Sequence, residues 1–176
     1  MTDREENWDI EKLRRFGKWS QAGVPHKDWR CVGEFDAKEE FGDLVTCEMC
    51  EKQQIRFVHL MEHPHYGATL NCGCVCASHM SGDSQNAEAR EKKMRSRASR
   101  RFNFPNRKGW KVSAKGNPYI KTDGVYLVIA ENRDGFYRIG YKNVWQRDLS
   151  WSKEGWSTVH EAELAGFSIY EELRAL

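Results

Sequence analysis

The sequence predicts an α+β protein with a small zinc-ribbon or treble-clef-like finger, a long basic helix, and a C-terminal antiparallel β-sheet packed with one helix. Three observations carry this. Five of the six cysteines fall in two clusters, Cys47/Cys50 and Cys72/Cys74/Cys76, on either side of a hairpin-like stretch. Residues 83–102 are rich in helix formers and contain neither Pro nor Gly. After residue 106, short apolar runs alternate with the turn signals "KGNP", "TDG" and "NRDG". The corresponding segments are an N-terminal part with a helix and short strands over 1–46, a finger over 47–82, a basic helix over 83–106, and a sheet-plus-helix module over 107–176.

In chain order, "DIEKLRRFGKWS" reads as a short amphipathic helix. Asp9 is its cap, Ile10, Leu13 and Phe16 recur at helical spacing, and Gly17 weakens its end. "QAGVPHKDW" breaks regular structure. The runs "WRCVG" and "DLVTC" read as strands joined by an acidic loop, with Cys31 as a small apolar residue. "IRFVHLM" alternates like a strand, with Ile55, Phe57, His59 and Met61 on one face, and "ATLNCG" returns as its hairpin partner. The runs "GWKVSA", "PYIKT", "VYLVIA" and "FYRIGYK" supply the C-terminal sheet. Thr158 and Glu161 have the spacing of a capping box that starts the last helix. Val159, Ala162, Ile169 and Leu173 supply its buried stripe.

With 176 residues the chain can bury a real core. No apolar run approaches the roughly 20 residues of a membrane span, and the acidic start "MTDREENW" lacks the layout of a signal peptide. The expected location is cytoplasmic, where thiols stay reduced and clustered cysteines point to metal before disulfide. A structural zinc needs two ligand pairs that a fold brings together at tetrahedral angles. Cys47-x-x-Cys50 is one pair, at the spacing of a tight knuckle. For the second, an extended chain puts Cys72, Cys74 and Cys76 on one side, whereas a helix beginning near Val75 puts Cys76 and His79 on one face. The expected ligands of Zn2+ are Cys47, Cys50, Cys74 and Cys76, with His79 in reserve and Cys72 third. Gly73 permits the close backbone approach that a strand-to-helix turn needs. His59 is expected in a hydrogen-bonded packing role, and a metal held by His59, His63 and His65 is the weaker alternative. The zinc-deaminase order and His-Glu-x-x-His are both absent.

"AGVPHKDWRCVGEFD", "CEMCEKQQIRFVHLMEHPHY", "GCVCASHMSGD" and "WKVSAKGNPYIKTDGVYLVI" together resemble a family of uncharacterised bacterial proteins. That family carries Cys-Glu-x-Cys, Gly-Cys-x-Cys-Ala, an Arg-rich helix and a Trp-x-x-Ser-x-x-Gly-Asn segment. The resemblance spans roughly residues 20–130. It implies Cys47, Cys50, Cys74 and Cys76 as the metal pairs, and brings no activity with it. The chain departs from the family at Cys72, where the family has an apolar residue.

Charge is segregated. Residues 90–108 hold nine Lys or Arg against one acid, Glu91, for a net +8, while the other 157 residues sum to −6. On a helix, Ala87, Met94, Ala98 and Phe102 form an apolar stripe, and Glu88–Lys92 and Glu91–Arg95 pair at i, i+4. Arg90, Lys93, Arg97 and Arg100 share a neighbouring face and Arg101 flanks the stripe, an arrangement with the geometry that phosphate contacts require. The opposing expectation is that Glu34, Asp36, Glu39 and Glu40 neutralise this face. The aromatic C-terminal module could add base stacking, with Lys111, Lys115 and Lys121 in support. The function expected is a zinc-stabilised, non-catalytic protein that binds nucleic acid, DNA or RNA, in the absence of any membrane. The alternative is a bacterial or phage protein-interaction adaptor or inhibitor with a purely structural zinc. No nucleophile–base pair, phosphate loop or paired-carboxylate signature points to an enzyme.

Overall fold

A computed structural model describes residues 9–176; the acidic start, residues 1–8, lies outside them. The chain divides between Arg97 and Ala98 into two units, each with its own apolar core. The division falls within the basic helix.

The first unit begins with α1 (Ile10–Leu13), capped by the Asp9 carboxylate. A 3-10 turn over Gly17–Ser20 replaces the rest of the expected helix. The cause is Gly17, whose φ of +56° is left-handed. Its missing side chain also lets the backbone approach that of Cys50, where a Cβ would lie 2.6 Å from the carbonyl carbon. β1 (Arg30–Asp36) runs further than the sequence indicates, and the expected acidic loop instead contains the short helix α2 (Ala37–Phe41), capped by Asp36. β2 (Val45–Thr46) and β3 (Gln54–Ile55) pair as a two-stranded ribbon that frames the Cys47–Cys50 knuckle. β4 (Phe57–His63) and β5 (Tyr66–Cys72) form the expected hairpin, and β1 adds antiparallel to β4. β4 is the central strand of the three, and Val58 is buried as fully as His59 and Met61. Its alternation therefore separates two buried environments. α3 (Cys74–Ser81) follows Gly73 directly, and α4 (Ser84–Asn103) is the long basic helix.

The second unit holds the end of α4 and a five-stranded antiparallel sheet of β6 (Lys111–Val112), β7 (Pro118–Thr122), β8 (Val125–Glu131), β9 (Tyr137–Asn143) and β10 (Ser150–Trp151). The strands lie in the order β10-β9-β8-β7-β6. α5 (Val159–Arg174) starts at Thr158 with both hydrogen bonds of the capping box formed. It packs across β8 and β9 through Ala162, Gly166, Phe167 and Tyr170, and Gly166 sits over Leu127 and Ile139. Val159, Ile169 and Leu173 lie at the margin of this core. Arg107, Asp123 and Tyr170 clasp its edge. Arg107 Nη1 donates to the Tyr170 hydroxyl at 3.1 Å and Nη2 to Asp123 Oδ2 at 3.0 Å, and the Tyr170 hydroxyl also donates to Asp123.

Candidate functional site

The thiol group sits in the core of the first unit, where three segments converge. Cys47 and Cys50 bracket a knuckle held by Glu51 N–H to the Cys47 carbonyl (2.8 Å) and Cys47 N–H to the Gln53 carbonyl (2.8 Å). Glu48 ties the knuckle to β5 through N–H to the Asn71 carbonyl (2.8 Å), while its carboxylate accepts from Asn71 N–H (2.6 Å). Gly73 passes so close to Ile55 that a Cβ there would lie 2.8 Å from a methyl carbon, so the expected close approach is present. α3 then brings Cys76 to the knuckle.

The Sγ atoms of Cys47, Cys50 and Cys76 all lie within 4.8 Å of one another, and all three residues are buried. Cys72 is also buried, with its thiol beside that of Cys47, but it is not one of the three whose Sγ atoms all lie within 4.8 Å of one another. Hydrogen bonds from the thiols of Cys50, Cys72 and Cys76 hold Cys47 well below the ordinary thiol range. The same contacts push Cys50, Cys72 and Cys76 upward, as each faces the charge that forms first on Cys47. Two N–H groups also point at sulfur: Gly73 N donates to Cys47 Sγ at 3.4 Å, and Trp19 Nε1 to Cys76 Sγ at 3.3 Å. Converging soft donors with N–H groups aimed at them suit a thiophilic metal ion, and the buried three-cysteine group could bind one.

Cys74 is placed elsewhere. α3 begins at Cys74, so Cys74 and Cys76 are two residues apart on a helix and point roughly 200° apart. Cys76 turns into the thiol group, while Cys74 turns toward His59 on β4 and Glu91 on α4, whose ligand atoms and its own lie within 4.8 Å of one another. Burial, reinforced by Glu91, pushes the Cys74 thiol up to about 12. His59 is 0% exposed; its Nδ1 accepts from Arg90 Nε at 3.5 Å, and its Nε2 lies 3.9 Å from Glu91 Oε2 with no hydrogen-bond partner among the described residues. Burial raises the Glu91 carboxyl, but the neighbouring His59 imidazole and the hydrogen-bonded Arg95 guanidinium outweigh it and carry it below its usual range. His79 is exposed, and His63 and His65 stay together at the hairpin turn, away from His59's group. Trp19, Cys72 and Glu91 are the participants that sequence reasoning missed or ranked low. For Cys72 a signal existed: with a helix starting at Cys74, Cys72 and Cys76 flank the turn, and Cys74 does not.

On α4, Ala87, Met94 and Ala98 are buried as expected, whereas Phe102 is 72% exposed. The expected Glu91–Arg95 pair is formed at 2.7 Å. The basic face has acidic partners: Arg97 pairs with Glu39, and Arg100 with Glu171 at 3.0 Å. Arg90 is turned to His59, Arg101 is half-buried, and Lys92 and Lys93 are exposed. Among the described residues no helix is long and apolar enough to cross a membrane. No family model, no curated protein and no solved structure matches the chain.

Proposed function

We propose that the chain is a zinc-stabilised, non-catalytic nucleic-acid-binding protein whose basic helix contacts the phosphate backbone. Zinc would be held by Cys47, Cys50, Cys72 and Cys76, joining the knuckle, the end of β5 and α3. The observation that carries the nucleic-acid reading is the +8 charge of residues 90–108, most of it along the helix that follows α3. The ion pairs of Arg95 and Arg100 on that helix do not argue against it. The side chains of Arg95 and Arg100 are 51% and 55% exposed in their pairs, and exposed pairs contribute only about 0–1 kcal/mol. Exchanging a carboxylate for a phosphate oxygen therefore costs little, and one stretch of backbone can engage several such groups at once.

Charge reversal at Arg90, Lys93, Arg97 and Arg100 tests this reading. Binding to a labelled nucleic acid should weaken, and the slope of log K against log salt should flatten by about 0.9 for each duplex phosphate that is no longer neutralised. A control with Lys92 and Lys93 alone reversed leaves the ion pairs intact. Unchanged affinity and slope in both variants would overturn the reading. The pairing of Arg97 and Arg100 with Glu39 and Glu171 favours a second one, a protein-interaction adaptor with a purely structural metal. Its sign would be a protein partner retained on purification after nuclease treatment.

A further inference from the structure

We propose that the face of the C-terminal sheet opposite α5 is a binding platform for single-stranded nucleic acid. It shares the ligand class of the preceding reading but uses no residue of the basic helix. The register defines the face. Val125, Leu127, Ile129 and Ile139 point to α5 and are buried. The intervening positions form rows on the other side: Lys111–Tyr119–Val128–Gly140–Trp151 across all five strands, then Lys121–Tyr126–Lys142, and Ala130–Arg138. Tyr119 and Tyr126 meet at a ring-centroid distance of 5.9 Å, confirming that both lie on this side.

Two properties point to the occupant. No strand residue on this face is acidic, and four are cationic: Lys111, Lys121, Arg138 and Lys142. None of the four has an ion pair among the described residues, in contrast to the arginines of α4. Among the described residues the buried Arg138 Nε has no hydrogen-bond partner, and Lys142 Nζ donates only to the Arg147 carbonyl at 2.9 Å. The face is therefore complementary to a polyanion. Set among the cations are three aromatics, Tyr119, Tyr126 and Trp151. Trp151 is 47% exposed and lies over Gly140, where an added Cβ would come within 3.1 Å of the indole and 2.9 Å of Val128. A side chain at position 140 would displace the indole. Aromatic faces interleaved with cations match unstacked bases joined by phosphates; a duplex keeps its bases stacked on one another and offers such rings nothing to stack on.

The test compares a labelled single strand of mixed sequence, as DNA and as RNA, with the corresponding duplex, using the full chain loaded with zinc. Trp151→Leu and Tyr126→Leu should each weaken single-strand binding by roughly 5- to 150-fold, the range for removing one stacked base. Duplex binding should change far less, and Tyr126→Phe should restore single-strand affinity. Lys121→Glu with Lys142→Glu, both distant from the buried core, should weaken single-strand binding and flatten its salt dependence. Single-strand affinity unchanged in all of these variants, but abolished on charge reversal of α4, would overturn the platform and leave the helix reading standing. Weakening in the sheet variants with retention after helix reversal would do the opposite. Binding to no nucleic acid at all would overturn both.

Discussion

The three thiols that meet at the knuckle, and Cys72 beside Cys47, differ in what each residue can contribute, and substitutions should separate them. Cys76→Ser removes a sulfur held by both the knuckle and the Trp19 N–H, and metal content measured by native mass spectrometry should fall well below that of the parent chain. Cys72→Ser should weaken retention against a chelator, whereas Cys74→Ser should retain the ion. The reverse order for Cys72 and Cys74 would return the ligand set to the one expected from the sequence. A second residue-level effect concerns acid. Hydrogen bonding from Tyr170, then Arg107, holds the Asp123 carboxyl below its ordinary 3.8. Its folded value is depressed, so its contribution is present at neutral pH and disappears as pH falls through that lowered value. Asp123→Asn should flatten the acid-side loss of stability of the second unit, followed by thermal melts from neutral pH to about pH 3. An unchanged pH profile would remove Asp123 from that account.

At the scale of elements, local signals explain much of what forms. The Thr158/Glu161 box starts α5 with both its bonds made, and Thr158→Ala should cost about 1 kcal/mol in a denaturant titration of the second unit. The first helix stops at Leu13 because Gly17 is needed in a left-handed conformation against Cys50. Gly17→Ala should consequently disturb the knuckle as well as the turn; if zinc joins the thiols, this is visible as faster release to a chelator, and an unaffected release rate would separate the turn from the thiol group. The hairpin β4–β5 and strands β7 to β9 were legible because alternation and turn residues agree there. β10 was not: two residues, Ser150 and Trp151, carry no periodicity, and their place is set by pairing with Tyr141 and Gly140 on β9. The helical start at Cys74 was equally hidden, because "NCGCVC" reads as strand or helix with equal ease. That one ambiguity decides which cysteine faces which group.

Across the whole chain, two cores imply two stabilities. The first contains Cys47, Cys50, Cys72 and Cys76 among its buried residues, and the second contains none of them. If zinc joins the thiols, chelation should lower the melting of the first unit and leave a transition with the amide-exchange protection of β7, β8, β9 and α5 intact. A single transition, shifted as one by the chelator, would show that the two cores melt together.

The sequence by itself determined the α+β class, the knuckle-and-hairpin layout of the cysteines, the long basic helix and most of the C-terminal sheet. Each of these follows from short-range periodicity, turn chemistry or charge order. Only the tertiary structure decided the partners. A helix beginning at Cys74 sends Cys74 and Cys76 in opposite directions, and bonds between residues far apart in sequence give Glu39 to Arg97 and Glu171 to Arg100. The aromatic face, with no acid among its strand residues, arises in the same way, from strand register that aligns Lys111 with Trp151 across five strands. Such alignments depend on which strands become neighbours, and no local pattern along the chain encodes that.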